Sequence, residues 1–380
     1  MTESDALLIL NAVSGLGNAR IQKIIDHSGS AADFLRLKDG EFKQFCNEHI
    51  IPPQILKNIQ NFPKDNYLKK EYNLVQFHRV QLLTYKDADF PRLLKEIPDS
   101  PLLVYVKGNL KALNTPSIAM VGSRRASVYG LSMAEKFAGE LAQAGVTIVS
   151  GLARGIDSAC HRAALKAKGT TVAVFGCGLC HVFPQENKDL AKEISSAGAL
   201  ISEFSMETFP LPYHFPKRNR IVSGLSLGVV VVEASAKSGA LITSDFALEQ
   251  GREVFAIPGK VDQPNSQGVN RLIKEGAKLA SCVEDILEEL KLPFTGYIKN
   301  LSFPNVTKTF GDDSFETKTP KLNISEDEKP IYQQLSDEPQ HIDDLAAQCQ
   351  IPISKLMGIL LKFELAGIVK QLPGKLFVRL

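Results

Sequence analysis

Ser117-Ile118-Ala119-Met120-Val121-Gly122-Ser123-Arg124-Arg125 joins an apolar run to a glycine and then to paired cations, and the pattern recurs. Thr147-Ile148-Val149-Ser150 leads into Gly151-Leu152-Ala153-Arg154-Gly155-Ile156-Asp157. Gly228-Val229-Val230-Val231-Val232-Glu233 leads into Ala234-Ser235-Ala236-Lys237-Ser238-Gly239. Short runs rich in Val and Ile read as strands, and the helical spacing that follows them reads as crossover helices. Parallel strands bring all three loops to one carboxyl edge, where open α/β sheets bind ligands. Glycines let the backbone come close, and N–H groups at helix starts face an anion. Arginine forks match phosphate oxygens bidentately. Between the second and third loops lies Phe215-Pro216-Lys217-Arg218-Asn219-Arg220, a dense run of cations. The edge reads as a phosphate-binding site.

Working outward, residues 66–292 alternate strand-like runs with helical patterns, which predicts a mostly parallel sheet covered on both faces. The runs at 80–83 and 102–106 precede the first strand–glycine–helix unit and read as an appendage to that sheet. Residues 1–65 read as a helical module. Ser14-Gly15-Leu16-Gly17 turns between two helices there, as in a helix-hairpin-helix or SAM-like arrangement. Such a turn can hold a DNA phosphate, but any αα-hairpin can turn on glycine. Residues 293–324 lack hydrophobic periodicity and read as a linker. Residues 325–380 begin with the capping-box-like Ser325-Glu326-Asp327-Glu328 and supply three helices and a hairpin, the winged-helix pattern. Lys355 and Lys362 are the only cations on its presumed recognition helix, which suits partner docking or a structural role better than groove reading.

Composition narrows the class. The formal net charge is +2, so affinity for nucleic acid must come from a local patch. The longest apolar runs are far shorter than a membrane span. Met1-Thr2-Glu3-Ser4-Asp5 is acidic where a secretory signal is basic, which places the protein in the cytoplasm. Six scattered cysteines fit free thiols. Cys177-Gly178-Leu179-Cys180-His181 matches a haem-attachment spacing, but it follows a strand in a series of equivalent loops and has no second ligand pair for zinc. Gly176-Cys177-Gly178 lacks the third glycine of a dinucleotide fingerprint, and no Walker A run is present. No cofactor and no metal are expected.

Among the cations, Arg124, Lys217 and Arg220 lead as ligand contacts, followed by Arg125, Arg154 and Arg218. One arginine of each adjacent pair could instead pair with Asp157, Glu203 or Glu233. Tyr213 and Phe215 lie beside the cluster, and aromatics interleaved with cations suit single-stranded DNA.

These motifs carry a resemblance. Met120 to Arg124, Ser150 to Asp157, His161, Phe215 to Ser226, Glu233 to Thr243, Phe255 to Gly259 and Gly268 to Ile273 are similar, in order, to the bacterial DNA-processing protein A (DprA/Smf) family. The resemblance implies an extended Rossmann-like fold that binds and protects incoming single-stranded DNA and helps load the RecA recombinase in natural transformation. It also implies a cytoplasmic homodimer without established catalysis. The family's DNA pocket, carried onto this chain, includes Gly122, Ser123, Arg124, Lys217, Arg218, Asn219 and Arg220. Arg125, Arg154, Phe215, Ser238 and Gly239 complete the expected contacts. Some members carry a lysine shortly before the Arg-Asn-Arg unit. Here Pro212-Tyr213-His214-Phe215-Pro216 occupies that stretch, and Lys217 stands in from a different place. The competing class is a nucleoside-phosphate ribohydrolase-like enzyme on a related fold. Ala236-Lys237-Ser238-Gly239 lacks that group's double glycine and offers only Asp245 as an acid. An inert recombinase scaffold would differ in having no DNA affinity of its own.

Overall fold

Alternation within the strands builds both faces of the central sheet. In β3 (Ser117–Gly122), Ile118 and Met120 pack to one side while Ala119 and Val121 pack to the other. In the computed structural model the described residues are 1–38, 40–41, 45, 51–291, 328–336, 339–365, 368–372 and 374–379. The expected linker and the capping-box start at 325–327 lie outside them. The other strands of the sheet are β1 (Gln81–Thr84), β2 (Leu103–Gly108), β4 (Thr147–Ser150), β5 (Thr171–Val174), β6 (Ala199–Ser202), β7 (Gly228–Glu233), β8 (Glu253–Ala256) and β9 (Lys278–Leu279). Their order is β1-β2-β6-β5-β4-β3-β7-β8-β9. From β6 to β9 every neighbouring pair is parallel, whereas β1 and β2 run antiparallel at one edge.

The chain winds outward from β3 to β6, then restarts at β7 on the other flank of β3. This reversal opens a crevice beyond the carboxyl ends of β3 and β7, the topological switch point of a doubly wound sheet. Helices Val128–Gln143 and Ile156–Lys166 cover one face, with Phe137, Leu141 and Cys160 against Ile148, Val230 and Val232. Helices His214–Gly224 and Ala240–Glu249 cover the other, with Ile221, Val222 and Leu241 against Val149, Val229 and Val231.

The N-terminal helices are built into this body. Ala6 to Leu10 are buried on every side of helix Glu3–Ala12, as expected of a helix with no solvent face. They share one cluster with Leu103 and Tyr105 of β2 and Leu200 of β6. Residues Met1–Ser302 form a single contact unit. The boundary expected near 65 falls inside helix Lys64–Phe77, whose apolar stripe of Tyr67, Leu68, Leu74 and Val75 packs on the same cluster and is interrupted at Glu71. Its one fully buried side chain is Glu71, which accepts from the Tyr105 hydroxyl at 2.7 Å and the Met206 amide at 2.8 Å.

The second unit, Phe303–Leu380, contains helices Lys329–Gln334, Ile342–Cys349 and Ile353–Leu365 and the hairpin Val369–Leu372 with Leu376–Arg379. Gln340–His341 adds a third, short strand beside Leu376–Arg379. Leu345, Leu356, Leu360, Phe363 and Phe377 are its core. Among the described residues no helix is long and apolar enough to cross a membrane.

Candidate nucleic-acid interface

The loop after β3 is fixed from below. The Ser123 amide donates to the Glu233 carbonyl at 2.8 Å. The buried Glu233 carboxylate accepts from the Ser127 amide at 3.1 Å, the Ser127 hydroxyl and Asn265 Nδ2 at 3.0 Å. Ser127 Oγ in turn accepts from the Gly130 amide at 3.0 Å and caps helix Val128–Gln143. The loop after β4 interlocks with the first. Gly155 has φ +72°, and a Cβ there would run into the Ser123 carbonyl, so only glycine fits. Asp157 Oδ2 accepts from the Gly151 and Ala153 amides at 3.1 and 3.3 Å and holds that loop closed. Burial pushes the Asp157 carboxyl up; Arg218 and the two amides oppose the rise without cancelling it.

Helix His214–Gly224 begins earlier than the sequence suggests. Pro216 falls in its first turn, where no intrahelical amide is needed, so it starts the helix without breaking it. Lys217, Arg218 and Arg220 therefore all sit on the helix and leave it on different sides. Arg218 turns inward and is buried, with Nη1 donating to the Gly151 carbonyl at 2.5 Å and to the Val174 carbonyl. Its guanidinium lies against Gly151 with no room for a Cβ there. Burial pushes the Arg218 pKa down and Asp157 pulls it back. Arg220 is also buried, joined through Nη2 to Glu203 and through Nη1 to the Asp99 carbonyl at 2.6 Å, with Nε 3.1 Å from the Asp99 carboxylate. Asn18 Nδ2 reaches the same Glu203 carboxylate at 3.3 Å, and Asn11 donates to the Glu203 carbonyl at 2.8 Å.

Lys217 faces outward with its side chain 43% exposed, 5.5 Å from the centre of the Phe204 ring and 3.7 Å from Glu203 Oε2. Arg154 is exposed and forked onto Glu186 at 2.7 and 2.8 Å. The hydrogen bonds between the two raise the Arg154 pKa and depress the Glu186 carboxyl.

A cleft of about 490 Å³ opens between the β3 and β7 loops. Gly122, Ser123, Arg124, Arg125, Phe215, Arg218, Asn219, Ser238 and Gly239 line it together. Arg124 and Arg125 are exposed, and the Arg124 guanidinium lies over the Phe215 ring at 5.6 Å. Phe215 packs on Gly176, where a Cβ would stand 2.8 Å from the ring. Asn219 Nδ2 donates to the Gly239 carbonyl at 3.3 Å and ties the helix to the β7 loop. Arg154, Lys217 and Arg220 are not in the lining. The expectation that Arg220 leads as a ligand contact is corrected by its burial, because its donors face Glu203 and Asp99. Arg218 borders the cleft, but its donors also face protein carbonyls. Arg220 pairs with Glu203, one of the internal carboxylates weighed as an alternative, whereas Arg218 donates to carbonyls.

Asn265, Asp157 and Thr243 also line the cleft. Asn265 holds the Arg125 carbonyl at 3.2 Å, and nothing in its turn sequence marks it for that. His161 is not at the cleft. It is fully buried behind it, with Nδ1 2.7 Å from the Thr171 hydroxyl and a pKa pushed down to about 3, first by burial and then by the Arg218 charge. Cys177 is buried with its thiol on the His181 carbonyl at 3.1 Å and its pKa pushed up by burial to about 12. Among the described residues no group of three or more His, Cys, Asp or Glu is placed to hold a metal.

Two family models match the chain. DNA recombination-mediator protein A covers residues 81–291, and the DprA winged helix domain covers residues 316–375. Protein Smf of Escherichia coli (strain K12) is 41% identical over 296 residues, which are 77% of this chain and 76% of the relative. The X-ray structure of DNA processing protein A from Streptococcus pneumoniae is 38% identical with a TM-score of 0.66, covering 76% of this chain and 98% of that one. DNA processing protein A from Helicobacter pylori, described for its single-stranded DNA binding mode, is 29% identical with a TM-score of 0.51, covering 56% and 96%. The chain belongs to the DNA recombination-mediator protein A (DprA/Smf) family.

Proposed function

We propose, from this membership and from the cleft, that the protein binds single-stranded DNA across the β3–β7 crevice, with the 66–292 body as its DNA-binding part. The observation that carries the reading is Arg124 laid over Phe215 at the mouth of a cleft walled by glycine loops. An exposed guanidinium beside an aromatic face offers a phosphate partner and a base-stacking surface together, and stacking tolerates any base. The Gly122, Ser123 and Gly239 backbone allows a strand to approach closely. The relative from Helicobacter pylori, described for its single-stranded DNA binding mode, supports the same ligand.

On this reading the protein protects incoming strands in the cytoplasm, works as a homodimer and hands DNA to the RecA recombinase during transformation. The family resemblance supports these further roles, and no catalytic step is assigned. Asp157 is the one carboxylate in the lining, and it is held by two amides and faced by Arg218. Asp245, the acid a ribohydrolase would need, is exposed on its helix and outside the lining.

The test is a titration of single-stranded against duplex oligonucleotides at several salt concentrations. With Arg124, Arg125 and Lys217 as the exposed cations, the log–log slope for single strands should be about −2, from about −0.7 per contact. Equal affinity for the two forms, or a flat salt dependence, would remove the assignment. A filament-assembly assay with RecA on protected strands tests the delivery step, and sedimentation tests the dimer.

A further inference from the structure

The loops after β5 and β6 carry a row of exposed aromatic rings that the cleft does not use. Phe183 is 46% exposed and lies 5.4 Å from Phe215, tilted by 39°, so it continues the Arg124–Phe215 stack away from the cleft. Phe209 is 67% exposed and stacked on His181 at 4.6 Å and 25°. Tyr213, also 67% exposed, meets His214 edge-on at 4.5 Å. Neither Phe183, Phe209 nor Tyr213 lines the cleft. A ring this exposed loses stabilisation that burial would give, so a row of them calls for an occupant.

We propose that Phe183, Phe209 and Tyr213 form a second, base-stacking segment of the DNA path, which takes the unpaired bases that leave the cleft at Phe215. The proposal rests on the single-stranded DNA reading above. Continuity selects the occupant. The row begins at a ring already capped by a cleft arginine and crosses from the loop after β5 to the loop after β6. Those strands are neighbours, one spacing of roughly 5 Å apart, and a stacked strand advances about 3.4 Å per nucleotide, so the row accommodates on the order of two bases. Lys217, on the outer face of the helix beside it, supplies a cation for the accompanying phosphates. The nearby acid Glu207 is already paired with Lys70. Ring faces set apart from one another, with a guanidinium at one end, suit separate planar bases better than the aliphatic side chains of a docked helix.

The experiment is fluorescence anisotropy with oligo-dT of increasing length, using the full chain, Phe183→Ala/Phe209→Ala and Phe183→Leu/Phe209→Leu. The parent should gain affinity as length passes what the cleft holds. Both variants should bind the shortest oligonucleotides as the parent does, and each should lose about tenfold or more on long ones, since a stack is worth about 1–3 kcal/mol per base. The salt slope should not move. Full retention by the leucine variant would mean an apolar surface for a protein segment and would overturn the proposal. So would an unchanged length dependence in the alanine variant. Photocrosslinking of the parent with 5-iodouracil outside the cleft-bound stretch gives a readout independent of variant folding. Adducts on Phe183, Phe209 or Tyr213 are expected, and adducts confined to cleft residues would overturn the proposal. If the parent binds no oligonucleotide of any length, the function reading itself fails; if Arg124→Ala abolishes binding while the length effect is absent, only the second segment fails.

Discussion

Two groups of cations stand at the same sheet edge in opposite surroundings. In the cleft, Arg124 and Arg125 are exposed, and Arg124 rests on Phe215. Behind it, Arg218 and Arg220 are about as buried as core leucines, and their donors face Gly151, Val174, Glu203 and Asp99. The β3 loop leaves Arg124 and Arg125 in solvent, whereas Arg218 and Arg220 leave their helix about 200° apart and each enters protein. A buried ion pair adds little net stability, because desolvation offsets the attraction, but removing one partner leaves an uncompensated charge. The inner arginines therefore hold the walls of the site, and the outer ones are the proposed ligand contacts.

The sharpest way to break this contrast is Arg220→Ala. It should cost about 3 kcal/mol in denaturant unfolding, because the buried Glu203 loses its close partner and keeps only Asn18 at 3.3 Å and the half-exposed Lys217 at 3.7 Å. Any loss of DNA affinity should disappear once the comparison is restricted to folded protein. A variant as stable as the parent but deficient in DNA binding would move Arg220 back to the ligand-facing group.

Next comes pH. The folded pKa of His161 is lowered to about 3, from an ordinary value near 6.5. The unfolded chain therefore takes up a proton below pH 6.5 while the folded one does not. Stability from this group is complete above pH 6.5 and falls with a limiting slope of about 1.4 kcal/mol per pH unit as pH drops towards 3. Asp157, whose pKa is raised, contributes in the opposite direction at the acid end, so the comparison to make is parent against His161→Gln. The difference between them should shrink from pH 7 to pH 5. A pH-independent difference would mean that His161 is not held neutral.

Arg124→Ala should lower single-stranded DNA affinity about tenfold, near 1.4 kcal/mol, and make the salt slope shallower by about 0.7. The melting temperature should stay where it is. A large drop in melting temperature would mean that the outer group is structural as well. The smallest effect belongs to Arg154→Ala. Both members of the Arg154–Glu186 pair are exposed, so calorimetry should show no resolvable change in stability, and the loss in DNA affinity should be smaller than for Arg124→Ala. A loss as large as that of Arg124 would enlarge the outer group to include the β4 loop.

Strands β3 to β8 were legible because each contains a short apolar run with a helical pattern after it, whereas β9 was not, because Lys278 and Leu279 are two exposed residues that make no run. The cleft loops were legible for the same reason. Helix Lys64–Phe77 was not, because its stripe of Tyr67, Leu68, Leu74 and Val75 is interrupted at the centre by a buried glutamate where a pattern reader looks for leucine. The start of helix His214–Gly224 was hidden by Pro216, which reads as a breaker but is harmless in a first turn. That shift brought Arg218 onto the helix, from which it reaches Gly151 and Val174. Charge in a sequence suggests surface, and only the partners Glu203, Asp99 and Gly151, distant along the chain, reveal otherwise. Asn265 was invisible because its role depends on where the β8 crossover returns.

Glu203 also has a consequence for inheritance. Its carboxylate faces Arg220 and Asn18, and Asp99 grips the same arginine from the other side, so four positions spread from 18 to 220 are bound into one arrangement. Changing Glu203 or Arg220 alone leaves the other buried without its close partner. Lineages should therefore keep that pair entire or exchange it wholesale for apolar residues, and intermediate combinations should be scarce among relatives. Position 124 is under no such bond and is free to vary with the ligand.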